Sequence, residues 1–159
     1  MRVFPVLLLA AALNPCAAYA GEAREAHLYG RWAVDTTRLP APPEARPKQV
    51  TISFAAAEPG RVMARVEVID PAGNQLLAEG VTPLDGTPTP VKSNFEADLL
   101  ATLMPTPDVL VMMLGKDGMP ASTRIYAVAA DGQSMVETVS YFGEDGKPVM
   151  RKNYFSRIR

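Results

Sequence analysis

The sequence predicts an all-β fold: an antiparallel up-and-down barrel of eight or nine strands with one short helix near residues 94–104. Three observations carry this expectation. Apolar and polar residues alternate in run after run, the period of a strand whose two faces meet different surroundings. Asp-Gly pairs at 117–118, 131–132 and 145–146 separate the last runs, and Asp-Gly between alternating segments is a strong hairpin signal. Strands joined in chain order need no long crossover, and closing the sheet removes exposed edges, which favours a barrel over a sandwich.

Taken in order, the chain opens on Arg2, a short apolar run from Val6 to Leu13, and Ala18-Tyr19-Ala20 before Gly21. A positive start, a run too short to span a bilayer and small residues at −3 and −1 predict a signal peptide over 1–20, cleaved after Ala20. Cys16 offers a lipoprotein site as a rival, but Asn14 and Pro15 before it fit that poorly. An uncleaved anchor is the other rival. Cys16 is the sole cysteine, so residues 21–159 would fold as one domain, exported to the periplasm or secreted, without a disulfide. No long apolar run follows, so no transmembrane segment is expected in the mature chain.

Residues 21–29 are polar and mixed, a loose start. The first strand begins at Gly30-Arg31-Trp32-Ala33-Val34. Pro40, Pro42, Pro43 and Pro47 cannot serve a sheet interior because each lacks an N–H, so 38–48 reads as an extended loop. Val50, Ile52 and Phe54 make the second strand, and Val62, Ala64, Val66 and Val68 the third. Glu58–Arg61 and Asp70–Asn74 are turns. Strands at 75–83 and near 87–92 flank Asp85-Gly86. Ser93 and Glu96 have the spacing of a capping box, and Phe95, Leu99, Leu100 and Leu103 then form a helical stripe that Pro105 ends. Strands resume at 108–114, 120–129, 134–142 and 148–157.

Composition excludes more than it selects. The formal net charge is −1, with 16 basic and 17 acidic residues, and this balance gives no footprint for nucleic acid. An apolar content of 48% is too high for disorder. His27 is the one histidine, so a Ser-His-Asp arrangement has a single candidate base, in the loose start. No nucleophile elbow is present. The carboxylates Asp70, Asp117, Asp131 and Asp145 sit where turn chemistry already explains them. Zinc ligands are missing in number, and no calcium-loop pattern occurs. Met112, Met113 and Met119 with His27 suggest copper, but Met112 and Met113 point to opposite faces of one strand, and core filling explains them better. No enzyme activity, metal or cofactor is expected.

Gly30-x-Trp32 ahead of a meander, with Trp32-Ala33-Val34-Asp35, Arg124-Ile125-Tyr126 before Asp131-Gly132, and Asp145-Gly146-Lys147-Pro148-Val149, resembles a group of uncharacterised bacterial exported lipocalin-like (calycin-type) barrel proteins over about residues 28–158. The helix ahead of the sixth strand departs from a plain eight-strand lipocalin. The resemblance implies a barrel that holds a small apolar ligand. It also implies that Trp32 plugs the closed end under an Arg of the last strand, Arg157 or, second, Arg151.

The function expected is sequestration of a small apolar or amphipathic molecule in the lumen, with loop 38–48 near one mouth. The alternative is a filled barrel acting as a structural or interaction module for an envelope protein partner. A two-residue count at Asp145-Gly146 puts Ser140 opposite Arg151 and Thr138 opposite Asn153. The same count at Asp131-Gly132 puts Thr123 opposite Ser140 and Ile125 opposite Thr138. The face bearing Ile125, Thr138, Ser140, Arg151, Asn153 and Phe155 then has one charge, against Arg124, Glu137 and Lys152 on the other. It is the expected interior, and Arg151, Thr123, Ser140 and Asn153 are the candidate ligand residues, with Arg151 clamping a carboxylate. A three-residue loop at each Gly instead makes Val139 and Glu137 the neighbours of Arg151. Lys147, Arg151, Lys152, Arg157 and Arg159 form a basic tail that alternation splits over two faces.

Overall fold

A computed structural model describes residues 27–93, 95 and 97–159. The expected leader over 1–20 and most of the loose start at 21–29 lie outside these residues, as does Glu96.

Among the described residues, eleven strands form one antiparallel sheet. They are β1 (Gly30–Val34), β2 (Gln49–Ala56), β3 (Arg61–Ile69), β4 (Gln75–Pro83), β5 (Thr89–Pro90), β6 (Lys92–Ser93), β7 (Leu99–Thr106), β8 (Val109–Lys116), β9 (Met119–Val128), β10 (Ser134–Phe142) and β11 (Pro148–Ile158). Their spatial order is β5-β7-β8-β9-β10-β11-β1-β2-β3-β4-β6. The count exceeds the eight or nine expected because β5 and β6 are separate two-residue strands and because β7 replaces the expected helix. β1 pairs with both β2 and β11, which joins the two halves of the meander.

The sheet curls into a nearly closed barrel whose seam lies between β4 and β7. Thr102 donates its hydroxyl to the Pro83 carbonyl at 2.6 Å, which makes Thr82 the donor in the 2.7 Å contact with Thr102. Further along the seam β5 pairs with β7, β6 pairs with β4, and the stretch between them fills the gap. Gly80 is required there, since a Cβ would stand 2.4 Å from Cγ1 of Val91.

The expected helix over 94–104 is not formed. Ser93 Oγ does accept from the amides of Phe95, at 3.2 Å, and Ala97, at 3.5 Å, as a cap would. The chain then extends into β7 instead. Leu100 and Thr102 are buried while Leu99 and Leu103 face outward, 41% and 48% exposed. Leucines on both faces of one strand had imitated a helical stripe, and pairing with β8 and β5 outweighs the local preference. Loop 38–48 carries two single 3-10 turns, Thr36–Arg38 at its edge and Pro43–Ala45 within it.

The turns show why the aspartates are there. Asp117 and Gly118 both have positive φ, 51° and 76°, the primed two-residue hairpin that suits strand twist. Asp131 accepts from the amides of Gln133, at 2.8 Å, and Ser134, at 3.1 Å. Those bonds hold its carboxyl below the usual carboxylate range. A lowered folded pKa stabilises the fold above the unfolded value and is lost as pH falls through the folded one.

The two later hairpins differ in length. Around Asp131-Gly132 the register is the one counted: Thr123 faces Ser140 and Ile125 faces Thr138. At Asp145-Gly146 the loop has three residues, with Gly143 donating to Lys147 and Gly146 at φ 72°. Arg151 therefore faces Val139, Asn153 faces Glu137, and Ser140 faces Met150. One extra loop residue exchanges the faces.

Candidate functional site

The barrel has a packed end and an open end. At the packed end Trp32 is fully buried, its Nε1 donating to the Leu28 carbonyl at 2.9 Å. The Arg157 guanidinium lies 4.2 Å from the Trp32 ring. It donates to the carbonyls of Gly132, at 2.6 Å, Tyr29, at 2.8 Å, and His27. Gly30, at φ 134°, makes room: a Cβ would stand 2.4 Å from Arg157 Nη1. His27 and Leu28 are thus tied to the barrel rather than loose. His27 Nδ1 lies 3.1 Å from an Asp108 carboxylate oxygen.

The open end holds a cavity of about 500 Å3 that is open to solvent on one side. One wall is aliphatic: Val50 and Ile52 of β2, Val66 and Val68 of β3, with Leu39, Pro40, Ala41 and Pro47 of the proline-rich loop leaning over it. These positions follow from alternation along β2 and β3 and from prolines that keep the loop out of the sheet. The facing wall is polar and comes from β9, β10 and β11: Arg124, Glu137, Arg151 and Asn153. Tyr126 and Phe155 also line it, and Phe54, Tyr126 and Phe155 meet edge to face at 5.1 and 6.3 Å between centroids. A second space of about 40 Å3 behind Tyr126 and Arg124 has room for little more than water.

Glu137, 2% exposed, organises the polar wall. Its Oε1 lies 3.2 Å from Arg124 Nη1, and its Oε2 accepts from Asn153 Nδ2 at 2.6 Å. Burial, and then the charge of Glu137 with a hydrogen bond to it, push the Tyr126 pKa far above the ordinary tyrosine range, so its hydroxyl stays protonated. Asn153 is buried, and its Oδ1 has no hydrogen-bond partner among the described residues. Arg151 is exposed at the rim, its guanidinium 5.7 Å from the Tyr141 ring centroid. No described carboxylate ion-pairs with it.

Of the four candidate ligand residues, the structure brings Arg151 and Asn153 to the cavity and leaves Thr123 and Ser140 away from it. Thr123 and Ser140 face each other across β9 and β10, in register alternation with Arg124 and Val139 and so on the outer surface. The expected interior face was a mixture, because the two hairpins do not share one loop length. Counting charges also misled: Arg124 and Glu137 are inside and compensate each other. The residues that sequence reasoning missed were therefore Arg124, Glu137 and Tyr126. Their signal was Glu137 alternating with Met135 and Val139, a lone carboxylate on an apolar stripe. Ser93 lies on the seam in β6 and takes no part in a helix.

Among the described residues, no three His, Cys, Asp or Glu side chains converge to hold a metal ion. No described helix is long and apolar enough to cross a membrane. No protein-family model matches the sequence, and no curated protein matches it.

Proposed function

We propose that this chain is an exported, lipocalin-like binding protein that sequesters a small amphipathic molecule in its lumen without acting on it chemically. The observation that supports it best is the cavity of about 500 Å3 with an aliphatic wall facing a polar one. Small-molecule sites of about 300–1,000 Å3 with mostly apolar linings and a few placed polar groups are the usual pattern. An amphipathic molecule would lay its apolar body on β2, β3 and the proline loop, and its polar end on the wall that Glu137 holds together. The unpartnered acceptor of Asn153 is consistent with a site that a ligand completes. The alternative, an interaction module, has its own observation: Leu99, Leu103, Met113 and Met119 are exposed on the outside of β7–β9.

The test is binding of the neutral apolar fluorophore N-phenyl-1-naphthylamine, with and without Ala41→Trp, which adds an indole to the lining. Saturable enhancement of emission is expected in the wild type, with at least about a tenfold loss of affinity in the variant, as filling a site removes most of its apolar contact. Undiminished binding in Ala41→Trp would place the dye outside the lumen.

A further inference from the structure

We infer, resting on the lumen-binding reading above, that the ligand carries a carboxylate and that Arg151 is the residue that selects it. Three observations lead there. Arg151 lines the cavity from the rim of β11, two residues before the buried Asn153 on the same face of the strand. The carboxylate on the neighbouring strand that could neutralise it is already engaged on both oxygens, Oε1 by Arg124 and Oε2 by Asn153. The Tyr141 ring supports the guanidinium at 5.7 Å, and no described residue accepts a hydrogen bond from it. A charged, planar donor fork, backed on one side and unopposed on the other, matches the two oxygens of a carboxylate better than any neutral head.

A neutral apolar lumen would prefer an ester to the corresponding acid, since the acid must leave more water behind. Electrostatic selection at the rim reverses that order, and the reversal is what the experiment reads. N-phenyl-1-naphthylamine is bound to the full mature protein at pH 8 and displaced by decanoic acid or by methyl decanoate, each below its aggregation concentration. The expected result in the wild type is displacement by the acid at about a fivefold lower concentration than the ester, a modest factor for a rim-exposed ion contact. Arg151→Met should remove the preference while the dye still binds. Arg151→Lys should retain part of it, and Arg151→Glu should reverse it. The site is exposed, so these variants leave the core untouched. Equal displacement by acid and ester in the wild type, or a preference that survives in Arg151→Met, overturns the assignment while leaving lumen binding intact. Failure of the dye to bind at all overturns the lumen reading, and this inference with it.

Discussion

Trp32→Ala is expected to destabilise the protein by about 3–5 kcal/mol, the range for deleting a large aromatic from a core. Trp32 is fully buried and packs among residues such as Leu28, Val62 and Leu110. Losing the indole also strips the Leu28 carbonyl of its buried donor. It further removes the ring beneath Arg157, a contact worth about 0.5–2 kcal/mol. Domains of this size have only about 5–15 kcal/mol of stability in total, so the variant should unfold at markedly lower urea with little change in slope. Trp32 is also the chain's single tryptophan, so its native emission reports on this end directly and should resist acrylamide quenching. A midpoint shift equivalent to less than about 1 kcal/mol would show that the Trp32–Arg157 arrangement does not hold the packed end.

Glu137→Leu should have the second largest effect, about 3 kcal/mol or more, because buried donors deprived of an acceptor cost about 1–3 kcal/mol each. Asn153 Nδ2 loses its 2.6 Å acceptor, Tyr126 loses its hydrogen bond to the carboxylate, and Arg124 loses its 3.2 Å ion pair. Glu137→Gln keeps an acceptor for Asn153 at nearly the same volume and should cost clearly less. Denaturation of both variants checks this. Equal costs for Leu and Gln would mean that packing, rather than the polar network, stabilises this wall.

Local chemistry made much of the barrel legible. Alternation located β2, β3, β9, β10 and β11 to within a residue or two, and prolines kept loop 38–48 out of the sheet. The seam was not legible. Leu99 and Leu103 are apolar yet face outward, and Leu100 is apolar and faces inward. A strand with leucines on both faces and a serine ahead of it satisfies the rules for a capped helix, and only its pairing with β8 decides otherwise. The candidate site was legible by half, for a related reason. Thr123 and Ser140 depended on the Asp145-Gly146 loop having two residues, and it has three. Arg151 and Asn153 reach the cavity because the three-residue loop sets them opposite Val139 and Glu137, on the inward face of β10. Glu137 was assigned outward because a charged residue is expensive to bury alone, and the compensation by Arg124 and Asn153 is a long-range fact.

If the lumen holds a small molecule, native mass spectrometry of the protein purified from its own host should detect it. A one-to-one adduct is expected that dissociates at raised collision energy and is absent from Ala41→Trp prepared in the same way. A spectrum showing only the bare chain, in protein whose cavity also fails to take up N-phenyl-1-naphthylamine, would contradict it.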